Sequence, residues 1–71
     1  DWQEKLHITI LNYLQKNNLS FETLAIKDKK DLVEHLFQLG AFKEKNAADY
    51  IAKILGLGRA TVFKYLKQWR A

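Results

Sequence analysis

Leu55 to Leu66 reads LGLGRATVFKYL, and it sets two of the chain's three glycines one residue apart, just ahead of a basic segment that carries aromatic residues. Gly56 follows an apolar, helix-forming run, where a residue of positive φ ends a helix most cheaply because glycine has no Cβ to oppose it. Leu57 then serves as an apolar plug beneath the turn. Gly58 stands at the N-cap of the next helix, a position where serine or threonine is better and glycine loses only about a few tenths of a kcal/mol. Ala52, four residues before Gly56, is small enough to let a second helix approach, and Val62 and Tyr65, six and nine residues after it, face back into the angle. Small residue, turn glycine, plug and branched apolar residue at these offsets spell a helix-turn-helix over residues 46–70. A G-x-G phosphate loop fits poorly, since the third glycine is missing and AADYIAKIL ahead of it reads as helix rather than strand. An αα-hairpin with purely structural glycines is the bland alternative.

Working outward, the chain has no proline and reads as helical throughout. Asp1 with Glu4, Asp28 with Asp31, and Asn46 with Asp49 each offer a capping oxygen ahead of a helix and an acid three residues on. The expected helices run from about Trp2 to Lys16, Lys29 to Leu39, Ala47 to Leu55 and Arg59 to Arg70. In the first, Trp2, Leu6, Ile10, Tyr13 and Leu14 make one apolar stripe, and Ile8 and Leu11 fall outside it. Phe21, Leu24 and Ile26 in the following connector are expected in the core, as are Leu32, Val33, Leu36, Phe37 and Leu39 of the second helix. Gly40 supplies that helix's left-handed stop. Ala48, Ile51, Ala52 and Leu55 face inward from the third helix, and Val62, Tyr65, Leu66 and Trp69 from the fourth. The fold class is all-α: a small helical domain of about four helices containing a helix-turn-helix.

Seventy-one residues make one domain with one small core, so efficient helix packing or a partner subunit is needed. No cysteine is present, which excludes disulfides and thiolate metal sites and suits a reducing cytoplasm. No apolar run reaches membrane-spanning length. The absence of methionine, at position 1 included, reads as a piece of a longer protein. Charge is lopsided: residues 1–49 hold seven lysines and all eight acids, whereas residues 50–71 hold Lys53, Arg59, Lys64, Lys67 and Arg70 with no acid. Such a segment is an electrostatic footprint for a polyanion, most often nucleic acid, unless it is simply a solvated helix face.

The stretch KNAADYIAKILGLGRATVFKYLKQWR, Lys45 to Arg70, resembles the carboxy-terminal helix-turn-helix of the DauR-like (YheO) family of bacterial transcriptional regulators. DKKDLVEHLFQLGAF, Asp28 to Phe42, matches the helix that leads into the motif in that family. The resemblance implies an amino-terminal PAS-like sensor domain ahead of this one, which would bind the effector. Where the family usually carries serine this chain has Gly58, so a hydroxyl cap and any phosphate contact from it are absent.

If the fourth helix enters the major groove, the residues opposite its buried side are the readers. Ala60, Lys64 and Lys67 then face outward, flanked by Arg59 and Phe63. Arg59 can make a bidentate contact to guanine, Ala60 can touch a thymine methyl, and Lys64 can reach a base edge or a phosphate. Thr61 and the N–H groups of the helix start suit a phosphate, as do Lys53, Lys67 and Arg70. Phe63 turns a ring towards the same side, where it can pack on sugar and phosphate. His7 and His35 lie far apart with no third ligand, and there is no catalytic pairing of nucleophile and base, so neither a metal or other cofactor nor an enzyme is expected. The expectation is a DNA-binding domain of a cytoplasmic, nucleoid-associated regulator, with double-stranded DNA as partner and a homodimer or higher oligomer as its working form. The rival is a helical protein-interaction or dimerisation module that uses the helix pair as scaffold.

Overall fold

A computed structural model describes residues 1–70, which form the helices α1 (Trp2–Lys16), α2 (Ile26–Gln38), α3 (Ala47–Leu55) and α4 (Arg59–Arg70). Single 3₁₀ turns at Phe21–Thr23 and Ala41–Lys43 connect α1 to α2 and α2 to α3, and no strand occurs among the described residues. α1 starts as its capping residues predict: Asp1 Oδ1 accepts the Glu4 N–H at 2.9 Å. It ends at Asn17 and Asn18. Asn18 takes a left-handed φ of 55°, the Leu19 N–H donates to the Leu14 carbonyl at 2.8 Å, and the Asn17 amide donates to the Tyr13 carbonyl.

The other two expected caps are not formed. α2 begins three residues earlier than Lys29, so Asp28 lies inside its first turn and accepts from the Ala25 N–H at 3.1 Å instead of preceding the helix. Alanine has no acceptor with which to reciprocate. Asp31 pairs with Lys27 one turn away at 3.2 Å. Asn46 adopts a left-handed φ of 68° and caps α3 with no side-chain hydrogen bond; only its carbonyl engages, accepting from the Tyr50 N–H at 3.1 Å. Two burial expectations also fail. Ile26, now the first residue of α2, is 65% exposed, and Leu39, which caps the helix rather than continuing it, is 60% exposed.

The core joins all four helices through Leu6, Ile10 and Leu14 of α1, Leu32, Val33 and Leu36 of α2, Ile51, Ala52 and Leu55 of α3, and Val62, Tyr65 and Leu66 of α4. Each large member fully withdrawn from water contributes about 1.5–3 kcal/mol before entropy is set against it. Aromatic rings close the periphery. Trp2 meets Tyr50 edge-on at 5.5 Å, tying the start of α1 to α3, and Trp69 lies 5.7 Å from Phe37 and 5.9 Å from Tyr65. Tyr13 stacks on His35 at 4.9 Å, and burial, followed by the Asp31 and Asp28 carboxylates, pushes its phenol above the ordinary range.

The turn between α3 and α4 takes the form LGLGRATVFKYL implies. Gly56 has φ 65°, the Gly56 N–H donates to the Lys53 carbonyl at 3.3 Å, and the Leu57 N–H reaches back to the Ala52 carbonyl at 2.9 Å. These two bonds are the Schellman pattern, which satisfies carbonyls the helix end would otherwise leave open. Leu57 packs half-buried against the core, and Ala52, 4% exposed, belongs to the core on α3, the helix against which α4 packs. α4 packs on both α3 and α2, so the turn directs it across the body of the domain with one face left outside.

Candidate nucleic-acid interface

α4 has a buried side of Val62, Tyr65 and Leu66, with Trp69 half-buried beside them. Helical spacing therefore forces Ala60, Phe63, Lys64 and Lys67 to the opposite side, and all four are exposed. Arg59 and Arg70 at the two ends of the helix, and Lys53 on the outside of α3, are exposed too, while Thr61 is half-buried at the edge. Of the eight residues singled out from the sequence, seven thus lie along α4 outside its buried side, and Lys53 is on the neighbouring helix. Among the described residues, no carboxylate pairs with Lys53, Lys64 or Lys67.

The start of α4 is arranged for an anion. The N–H groups of Thr61 and Val62 both donate to the Gly58 carbonyl, at 3.1 and 3.3 Å. Those of Arg59 and Ala60 meet no acceptor among the described residues, and they sit at the positive end of the helix dipole. Gly58 leaves this approach open: a Cβ added there would meet only Thr61 Oγ1, at 3.8 Å.

Arg59 has partners of its own within the domain. Its Nε lies 2.8 Å from Asp49 Oδ1, across the turn, and its Cζ stands 5.2 Å from the centre of the Phe63 ring. The guanidinium is therefore held between a carboxylate of α3 and an aromatic of α4 on the exposed face. Both partners had another reading in the sequence. Asp49 counted as an acid at a helix start and Phe63 as a ring for sugar and phosphate. A shallow cleft of about 180 Å³ beside them has Phe42, Glu44, Ala48, Asp49, Arg59 and Phe63 in its lining. A larger one, about 240 Å³, lies away from this surface between α1 and the end of α2, lined by Trp2, Leu6, Leu36 and Leu39.

Two lysines of α2 also escaped notice, because the near-balanced charge of the first 49 residues hid them. The Lys29 ammonium comes within 3.9 Å of where a Gly56 Cβ would lie, and the Lys30 ammonium stands 5.3 Å from the centre of the Tyr65 ring. Both bring positive charge from α2 up to the helix pair. Among the described residues no group of three His, Asp or Glu side chains converges as a metal site would require, and no helix is long and apolar enough to cross a membrane.

A family model described as an HTH domain matches residues 5–67, from the first turn of α1 into the last turn of α4. The transcriptional regulator DauR of Pseudomonas aeruginosa is 43% identical over 68 residues, which cover 96% of this chain and 32% of that protein. The chain thus spans about a third of the length of the curated relative it matches. No solved structure matches it. With a matched span that takes in all four helices, this chain belongs to the helix-turn-helix domain family, in its DauR-like form.

Proposed function

We propose that residues 1–71 are the DNA-binding domain of a bacterial transcriptional regulator, with residues 46–70 as its motif and α4 as the helix that enters the major groove. The observation that carries this reading is the exposed basic side of α4, delivered by the Schellman turn at Gly56 onto a face where the lysines lack carboxylate partners. Twelve residues give α4 a length of about 18 Å, enough to lie along a groove about 12 Å wide with several side chains on base edges. In this arrangement Arg59, Ala60 and Lys64 read bases, and Thr61, Lys53, Lys67 and Arg70 hold phosphates. Phe63 supports Arg59 from below.

A domain measuring 30 × 27 × 19 Å covers one half-site, since half-sites one helical turn apart are about 34 Å from centre to centre. We assign pairing to the outer side of α1, where Ile8 is 50% and Leu11 45% exposed. The working regulator is then a homodimer or higher oligomer in the cytoplasm, at the nucleoid, with its effector bound by a part of the protein outside this chain.

The test is a titration against duplex DNA at several salt concentrations. About four phosphate contacts give a log–log slope of about −3 to −4. Arg59→Ala should cost about 1–3 kcal/mol on the preferred duplex and relax preference at one base position, whereas Arg70→Ala should weaken all duplexes alike and flatten the slope by about one unit. Binding indifferent to salt, or to both substitutions, would move the nucleic-acid surface off α4.

A further inference from the structure

The geometry points to Asp49 as a positioning residue for DNA recognition: its carboxylate holds Arg59 for a base and against phosphates, and so sets how selectively the domain binds. This inference rests on the reading of α4 as the recognition helix and adds to it a residue that makes no contact with bases.

Asp49 is an anomaly on electrostatic grounds. From Tyr50 onward the chain contains five basic residues and no acid, yet this one carboxylate, half-exposed in the first turn of α3, stands 2.8 Å from the arginine that opens α4. A negative charge at that place opposes any approach of the phosphate backbone. Its place in the first turn of α3 suits the helix dipole, but that explains a carboxylate and not its contact with Arg59, and the pair itself adds little stability, because 70% of the Arg59 and 49% of the Asp49 side chain are open to water.

What the pair does accomplish is to restrain a long side chain. A lone surface arginine is a mobile cation that takes whichever phosphate oxygen is nearest, and ordering it onto one base costs rotamer freedom. Here Asp49 Oδ1 stands 2.8 Å from the Arg59 Nε and the Phe63 ring lies 5.2 Å from the central carbon of the guanidinium. Among the described residues, no other polar partner meets the terminal amino groups, the pair that can grip O6 and N7 of a guanine. Part of that ordering is thus in place before DNA arrives. Asp49 acts twice in the same direction: it favours the ordered contact to a base and penalises a disordered contact to phosphate. Selectivity is a difference between two affinities, and a repulsive element widens it as surely as an attractive one.

Asp49→Asn removes the charge and keeps the shape. The experiment selects a preferred duplex from a random pool with the unaltered chain. It then measures binding of the parent, Asp49→Asn, Arg59→Ala and the double variant to that duplex and to a scrambled one, at two salt concentrations. Asp49→Asn should lower the ratio of preferred to scrambled affinity about tenfold and steepen the salt slope on the scrambled duplex by about one unit, as Arg59 gains a phosphate. In the Arg59→Ala background the same change should leave the ratio where it was. An unchanged ratio for Asp49→Asn, whether affinities rise equally or not at all, overturns the proposal and leaves Asp49 a plain surface charge. A ratio loss of the same size in both backgrounds also overturns it, since Asp49 would then act without Arg59. If the parent chain itself shows no preferred duplex, the reading of α4 fails first and the inference falls with it, a result visible before any variant is made.

Discussion

α1 and α2 leave Ile8, Leu11, Ile26 and Leu39 open to solvent; of the large apolar side chains of α3 and α4, among the described residues, only Phe63 is so exposed, and an arginine lies over it. The charge divides along nearly the same line, since the first 49 residues balance seven lysines against eight acids and the rest hold five cations and no acid. Both pairs contribute to one core and obey the same capping and burial rules, so the difference lies wholly in what faces outward. Exposed apolar groups gain from a dry partner, and exposed lysines without counter-charges gain from a polyanion. On this division rest the two roles proposed above, α1 pairing with protein and α4 binding DNA.

The sharpest way to break the contrast is to spoil the packing that directs α4. Ala52→Leu forces added methylenes into a 4%-exposed core position of α3 and should destabilise the domain by about 1–3 kcal/mol. Thermal unfolding as stable as the parent's would mean that α4 is not set by packing at that position. The two turn glycines sharpen the comparison within the motif itself. Gly56→Ala puts a Cβ at φ 65° and should cost about 1–2 kcal/mol, whereas Gly58→Ser fills open space, gains a helix-capping oxygen and should stabilise by about a few tenths of a kcal/mol. A stabilising Gly56→Ala together with a destabilising Gly58→Ser would refute the assignment of turn and cap. The smallest thermodynamic effect belongs to α1. Ile8→Glu with Leu11→Glu should change stability by no more than about 0.5 kcal/mol, because both side chains are already half in water, yet abolish self-association in sedimentation. Association that persists in this variant would relieve α1 of the pairing role.

Much of this was legible in the sequence, and the parts that were not have a common cause. Gly56, Leu57, Ala52 and Val62 lie within eleven consecutive residues, so their spacing alone announced the motif, and the helical stripe of α1 marked its inner side, with Leu6, Ile10 and Leu14 buried and Trp2 and Tyr13 half-buried. Asp28 misled because an acid three residues from its partner marks a helix start in either register: read as the cap it opens a helix at Lys29, read as the third helical position it opens one at Ile26, and only the backbone chooses. Ile26 and Leu39 lie at helix ends, where exposure depends on which way the chain departs rather than on periodicity. The Asp49–Arg59 contact joins residues ten apart across the turn, and the approach of Lys29 to Gly56 joins two helices separated by a long connection. Both depend on how the helices cross, which no local pattern encodes. Gly58 shows a different case, since the open space its missing side chain leaves at the start of α4 follows from composition but becomes meaningful only beside unengaged N–H groups.

The central claim is that α4, and not α1, meets DNA. Titrating the isotopically labelled chain with duplex DNA and following every backbone amide by nuclear magnetic resonance tests it most directly. The account predicts that the perturbed amides concentrate at the turn and along the outer side of α4, from Gly58 through Lys67, with a second group at Asp49 and Lys53, while Ile8 and Leu11 stay unmoved. Perturbations gathered on the outer side of α1, with α4 silent, would contradict it.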